Sequence, residues 1–182
     1  MTNAQHTMNS HEHYTPTSII EMAREVLGDI DLDPCSSETA NKIVQAKKYF
    51  TKECNGLRLG WCSEDREPLS VWCNPPGSQY IKPSLPMLFW QKLLREINRC
   101  NVTHAIFLAY SPDMVRQSRK TTGTSMLAFP VCQPDDRIVF LDGDLRPKTS
   151  PPHGNLVVYI PGVIDNTEGF KRVFSQLGYV KV

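Results

Sequence analysis

The segment Ser70-Val71-Trp72-Cys73-Asn74-Pro75-Pro76-Gly77 joins a short apolar run to two consecutive prolines. Val71 and Trp72 favour a β-strand, whereas a proline has no amide hydrogen with which to continue a strand ladder. We therefore expect a stiff turn just past the carboxyl end of a strand, the edge at which open α/β sheets bind ligands. Asn74 offers a side-chain oxygen there and Pro75 a carbonyl oxygen. Two fixed acceptors suit an amino group with two hydrogens to donate, although the turn is equally compatible with a strand that simply ends in a proline-rich loop.

Composition indicates an ordinary globular protein. The 182 residues suffice for one domain with a real core, and the net charge of +1 gives no overall sign of a nucleic-acid partner. Apolar runs all fall short of the roughly 20 residues that span a bilayer. Six cysteines without CxxC spacing, and a polar N-terminus without a signal-peptide pattern, predict free thiols in a reducing cytoplasm. His11 and His13 lack a second pair of ligands nearby, so we expect no metal site.

Periodicity and turn residues predict alternating helices and strands. Helices are predicted over residues 18–27, 37–48, 84–98 and 167–177, with a short one beginning at 111–113. Strands are predicted over residues 30–33, 70–73, 103–110, 126–131, 137–141, 156–160 and 179–182. The alternation in the first two-thirds predicts a mostly parallel sheet, and the strands at 137–141 and 156–160 are expected to form an antiparallel pair. Residues 1–13 are predicted to be a flexible N-terminal arm, and residues 14–182 a single domain.

Three short sequence motifs follow one another along the chain: His13-Tyr14-Thr15-Pro16, Leu32-Asp33-Pro34-Cys35-Ser36-Ser37, and Asn74-Pro75-Pro76-Gly77. This order resembles the motif order of DNA amino-methyltransferases that use S-adenosylmethionine. The whole pattern most closely resembles the phage-type DNA N6-adenine methyltransferase family. The resemblance spans about residues 14–161 and includes Asn55-Gly56-Leu57 and Trp61. It implies an α/β fold with a compact, shortened Rossmann-like sheet, mostly parallel with an antiparallel C-terminal hairpin.

The resemblance also implies an activity and a set of site residues. A methyl group would pass from S-adenosylmethionine to the N6 amino group of adenine in DNA, in the cytoplasm of a bacterial host. The residues implied in catalysis are Asn74, Pro75 and Pro76. Those implied in cofactor binding are Tyr14, Thr15, Pro16, Asp33, Pro34, Cys35 and Ser37. Those expected to contact the substrate are Gly77, Tyr80, Arg146 and Lys148, the last two on a phosphate-contacting loop.

Three departures from the family pattern keep alternatives open. Gly77 stands where the wider class has an aromatic residue that stacks on the extruded base, so Tyr80 is the expected substitute, ahead of Trp72, Phe89 and Trp90. Serines and a threonine replace the glycines expected after Asp33, where the backbone approaches the cofactor. The acidic residue that normally holds the cofactor ribose has no clear counterpart; the possible stand-ins are Glu38, Glu53 and Asp65. The alternatives are methylation of another base amino group, or a catalytically altered homologue that binds DNA or a host protein.

Overall fold

The computed structural model describes residues 13–77, 83–149 and 154–182. The helices in these ranges are α1 (Thr17–Leu27), α2 (Glu38–Val44), α3 (Leu85–Asn98), α4 (Asp113–Thr122) and α5 (Thr167–Phe174), with a 3-10 turn at Met126–Ala128. The strands are β1 (Leu32–Asp33), β2 (Lys48–Tyr49), β3 (Leu69–Cys73), β4 (Val102–Ala109), β5 (Val131–Pro134), β6 (Leu156–Pro161) and β7 (Gly178–Lys181). Tyr80 and His11 lie outside the described residues, and the predicted flexible arm at 1–13 stays a prediction.

The seven strands form one sheet in the order β2-β1-β3-β4-β6-β5-β7. The four strands from β2 to β4 are parallel, whereas β6 runs antiparallel to both β4 and β5, and β7 antiparallel to β5. This arrangement confirms the predicted α/β class with a shortened Rossmann-like sheet. The carboxyl ends of β1 and β3 lie side by side, because Leu32 of β1 is in register with Val71 of β3.

Hydrophobic packing covers both faces of the sheet. Helices α1 and α5 pack on one face, in a cluster that includes Ile20 and Phe170, and we call this face the first face. Helices α3 and α4 cover the second face, in a cluster that includes Trp90 and Met114. The central strand β4 contributes side chains to both clusters, which explains its nearly continuous apolar sequence.

The C-terminal antiparallel part uses a strand that the sequence placed differently. Residues 137–141 do not form a strand, and β6 pairs instead with β4 and with β5, which follows the 3-10 turn. The misleading signal has a physical cause. Ile138 and Phe140 are buried and the intervening Val139 is exposed, so the segment shows the alternation of a strand. It packs as an extended loop on the first face. Leu141 exchanges two backbone hydrogen bonds with Tyr14, and the carbonyl of Phe140 accepts one from the backbone N–H of Lys148.

All six cysteines are free. Within the described residues, none of the helices has the length and apolar character needed to cross a membrane.

Candidate active site

Asn74 lies immediately after β3, at the carboxyl edge of the parallel strands. The apolar run before it is fully buried, and β3 pairs with β4 up to Cys73, which is in register with Phe107. Pro75 is buried and Pro76 is exposed, so the chain leaves the sheet at this turn, as predicted. Asn74 itself is partly exposed, so its side chain stands where the core gives way to solvent.

The orientation of the Asn74 amide is fixed by the N-terminal segment. Its Nδ2 donates to the backbone carbonyl of His13 at 3.2 Å and to Oγ1 of Thr15 at 3.1 Å. A carbonyl oxygen only accepts hydrogen bonds, so the atom facing His13 must be the nitrogen. The Oδ1 atom consequently points away from this segment. Among the described residues it has no hydrogen-bond donor, which leaves it available to a ligand.

The segment that orients Asn74 is itself held by two other parts of the chain. Tyr14 exchanges two backbone hydrogen bonds with Leu141, at 2.9 and 2.8 Å. The His13 ring contacts Phe140 edge to face, and Nζ of Lys148 lies 3.4 Å from Nε2 of His13. Thr15 is buried, and the carbonyl of Pro16 accepts the first backbone bonds of α1. The predicted group Tyr14, Thr15 and Pro16 therefore does reach the site, where its observed contact is with Asn74.

Asp33 ends the neighbouring strand β1 and is buried, with 3% of its surface exposed. Its Oδ1 accepts a hydrogen bond from the backbone N–H of Cys35 at 3.2 Å. Burial raises the pKa of Asp33 from 3.8 to about 6, although hydrogen bonds from Ser36 and Cys35 oppose the shift. Among the described residues, no cationic side chain contributes to this shift. A desolvated carboxylate of this kind gains from a positively charged ligand group placed against it.

A pair of thiols links the Asp33 turn to the Asn74 turn. Sγ of Cys35 lies 3.5 Å from Sγ of Cys73, the residue before Asn74. Burial raises the pKa of both thiols, so both are neutral at physiological pH. The backbone N–H of Asn74 also donates to the Cys35 sulfur. Sequence reasoning placed Cys35 at the cofactor site and missed Cys73, whose only signal was its position beside Asn74.

The loop after β2 covers the turn that follows Asp33. Gly56 lies so close to Pro34 that a Cβ atom on Gly56 would stand 2.0 Å from the Pro34 carbonyl oxygen. Trp61, fully buried, donates from Nε1 to the carbonyl of Gly56 at 2.8 Å and holds the loop in place. The side chain of Ser37 accepts a hydrogen bond from the N–H of Ala40 at 3.0 Å and so caps α2. These contacts give Pro34, Gly56, Trp61 and Ser37 roles in shaping the Asp33 turn.

The predicted substrate-contacting residues within the described ranges lie in two places: Gly77 on the turn after Asn74, and Arg146 and Lys148 on a separate loop. Gly77 is exposed at the end of the turn, and no atom of the described residues, other than those of Gly77 and its chain neighbours, lies within 4 Å of the place where a Cβ would be. Arg146 is exposed on a tight loop, in which Asp142 accepts from the backbone N–H of Arg146 at 3.0 Å. Lys148 places this loop beside His13, hence beside Asn74.

Trp72, Phe89 and Trp90 are core residues, at most 6% exposed, which rules them out as stacking partners for an extruded base.

The chain matches the model of a known protein family. The family model described as DNA N-6-adenine-methyltransferase (Dam) matches residues 4–116, which is more than half of the chain and includes all three motif segments. No curated protein matches this chain.

Proposed function

The chain belongs to the DNA N-6-adenine-methyltransferase (Dam) family, and we propose that it transfers a methyl group from S-adenosylmethionine to the N6 amino group of adenine in DNA. The observation that carries this proposal is the fixed orientation of the Asn74 amide. Its two N–H bonds are used by His13 and Thr15, so its oxygen is left as an acceptor for a ligand. An amino group is the ligand that such an acceptor suits.

In this proposal Asn74 and Pro75 hold the amino group of the target base. The N6 lone pair of adenine is delocalised into the ring, which makes the nitrogen a poor nucleophile. Acceptors on both N–H bonds favour a pyramidal nitrogen and release the lone pair. Oδ1 of Asn74 would take one hydrogen and the carbonyl of Pro75 the other. Pro76 stiffens the turn, so little ordering remains to be done when the base binds.

The buried carboxylate of Asp33 fits the cofactor. S-adenosylmethionine supplies an electrophilic methyl group on a sulfonium and carries an ammonium group on its methionine part. The raised pKa of Asp33 marks a desolvated carboxylate that an ammonium would stabilise in its charged form. The Cys35–Cys73 contact keeps the Asp33 turn next to the Asn74 turn, so that donor and acceptor sites adjoin.

The residues thus supply alignment and polarity more than proton chemistry. When bound, S-adenosylmethionine would supply the methyl group to N6 and would leave as the neutral thioether, and the proton lost from N6 would pass to solvent. Asn74 stabilises the positive charge that develops on N6 through its amide oxygen. Since N6 is inaccessible inside a duplex, the base must be flipped out or already unpaired. The exposed Gly77 leaves room for it, and Arg146 and Lys148 would contact the flanking phosphates.

The test combines calorimetry with mass spectrometry of nucleosides from DNA incubated with the purified protein. We expect S-adenosylmethionine to bind and N6-methyladenine to form, with at least a hundredfold loss of product in Asn74→Ala. Asn98→Ala is the matched control, because Asn98 is exposed at the end of α3. Cofactor binding with a methylated product other than N6-methyladenine would assign another base amino group. Absence of cofactor binding would favour a protein that only binds DNA or a host protein.

A further inference from the structure

Asn155 carries a buried polar atom that the described part of the fold leaves unsatisfied. The residue is 5% exposed, and its Oδ1 has no hydrogen-bond partner in the part of the chain that the structure describes. Folded proteins pair nearly all buried polar side-chain atoms, because an unpaired one loses its water without compensation. The unpaired Oδ1 of Asn155 therefore needs an explanation, and a hydrogen bond donated by a bound ligand would provide one.

The position of Asn155 brings it to the edge of the sheet where Asn74 lies. Strand β6 begins at the next residue and runs antiparallel to β4, with Leu156 in register with Ala109. The start of β6 is consequently level with the carboxyl end of β4. The end of β3 lies on the other side of β4, where Cys73 is in register with Phe107. Asn155 and Asn74 thus flank the same end of β4.

Strand alternation assigns both asparagines to the same face. On β6, Leu156 packs in the second cluster and Val157 in the first, so the residue before Leu156 belongs with Val157. On β3, Trp72 packs in the first cluster and Cys73 in the second, so Asn74 belongs with Trp72. Between them, Tyr110 follows the last residue of β4 and departs from this alternation, because Ala109 and Tyr110 both pack with the second cluster, so Tyr110 does not stand between the two asparagines on the first face. Both amides therefore belong to the first face, which also carries α1.

We propose that Asn155 is a ligand-binding residue of this site, whose Oδ1 accepts a hydrogen bond from an amino group of a bound molecule. This inference rests on the proposed function and adds a residue to it. The chemistry required is a hydrogen-bond donor, and an anionic group is excluded because a carbonyl oxygen would repel it. Both the target adenine and S-adenosylmethionine carry amino groups, so the experiment has one arm for each source.

The variant Asn155→Leu removes the acceptor and keeps the volume. Its matched control is Asn166→Leu at the opposite edge, where the Asn166 amide already donates to Val26 at 2.8 Å. Three probes are used in binding assays: S-adenosylmethionine, a single-stranded oligonucleotide with one adenine, and the same oligonucleotide with purine, which lacks the amino group. We expect Asn155→Leu without ligand to melt no lower than wild type, because it relieves an unsatisfied group. Asn166→Leu is expected to melt lower and to bind all probes normally.

If the amino group comes from the target base, wild type should bind the adenine oligonucleotide about tenfold more tightly than the purine oligonucleotide, and Asn155→Leu should lose this preference. If the amino group comes from the cofactor, the affinity of Asn155→Leu for S-adenosylmethionine should fall about tenfold. Asn155→Asp, which keeps an acceptor oxygen, should retain the wild-type affinity. Unchanged affinity for every probe overturns the proposal. The proposal is also overturned if Asn155→Leu loses affinity equally for both oligonucleotides and binds the cofactor normally, or if it loses affinity for the cofactor and Asn155→Asp does so too. If wild type binds none of the probes, the Asn155 proposal and the proposed function both fail. If wild type binds the probes but transfers no methyl group, only the proposed function fails.

Discussion

The side-chain amide of Asn74 donates a hydrogen bond to the hydroxyl of Thr15 at 3.1 Å, across 59 positions of the chain. Together with the carbonyl of His13, Thr15 determines which end of the amide faces the ligand. The N-terminal segment is therefore a positioning element for the residue that we propose holds the target amine. Its own support comes from the Tyr14 bridge to Leu141, which ties it to the loop carrying Arg146 and Lys148.

Replacement of Thr15 tests this positioning. Thr15→Val keeps the shape and removes the hydroxyl, whereas Thr15→Ser keeps the hydroxyl. Loss of one neutral hydrogen bond is worth about 0.5–1.5 kcal/mol. We expect kcat to fall up to about tenfold in Thr15→Val, with the KM for DNA little changed, and Thr15→Ser to retain most of the activity. Steady-state kinetics decide the matter. Equal loss in both variants would mean that the methyl group, and hence packing, is what matters.

Some of this site was readable from the sequence because local chemistry dictates it. A proline pair after Val71 and Trp72 must end a strand, so the turn at Asn74 follows from chain stereochemistry alone. The same applies to α1, which ends at Gly28 with a φ of +73° that favours glycine. The alternation of Ile138 and Phe140 misled for the opposite reason: burial on one side gives a strand-like pattern whether or not a neighbouring strand exists.

Contacts across the sheet were beyond sequence reasoning. The Cys35–Cys73 contact depends on β1 and β3 being neighbours in register, which no local pattern specifies. The orphaned oxygen of Asn155 is likewise a property of its surroundings, since an asparagine before a strand is unremarkable by itself. Gly56 was noticed through a resemblance, but its approach to Pro34 is a tertiary contact.

Asp33 makes stability depend on pH. Its pKa is raised from 3.8 to about 6 by burial, so between about pH 4 and pH 6 the folded protein binds a proton that the unfolded chain has released. Stability therefore falls as the pH rises through this window. The full effect above pH 6 is of the order of 3 kcal/mol. Urea unfolding of Asp33→Asn should show a variant more stable than wild type at pH 8, with the difference vanishing below about pH 4. A constant difference across this range would contradict the prediction.

The same carboxyl group predicts the pH dependence of cofactor binding. If Asp33 binds the ammonium of S-adenosylmethionine, it must be charged in the complex. Binding then requires the loss of a proton below pH 6, and the affinity should fall about tenfold for each pH unit under that value. Calorimetry from pH 5 to pH 8 measures this slope. The Asp33→Asn variant should bind weakly and without the slope, whereas a slope that persists in the variant would place the titrating group elsewhere.

Gly56→Ala tests the close approach of the loop to the Asp33 turn. The added Cβ would meet the Pro34 carbonyl oxygen at 2.0 Å, so one backbone segment must move. Overpacking of this kind costs about 1–3 kcal/mol, and the moved turn should also weaken S-adenosylmethionine binding. Gly60→Ala is the control in the same loop, because the nearest atom to its Cβ is Sγ of Cys62 at 3.9 Å. Thermal unfolding compares the two. A Gly56→Ala protein as stable as Gly60→Ala would mean that the loop yields without cost.

Arg146→Ala tests the loop that Lys148 and Tyr14 tie to the site. Arg146 is exposed, and the loop around it is held by backbone bonds to Asp142, so the substitution removes a charge without removing the support of the loop. A phosphate contact releases a counterion, so the affinity for DNA should fall more at 50 mM salt than at 200 mM salt, and the slope of log affinity against log salt should decrease by about one. Arg172→Ala is the control of equal charge, on α5, where Arg172 pairs with Glu25. Fluorescence anisotropy with a labelled oligonucleotide gives both slopes. The same slope in wild type and Arg146→Ala would exclude Arg146 as a phosphate contact and leave the role to other cations.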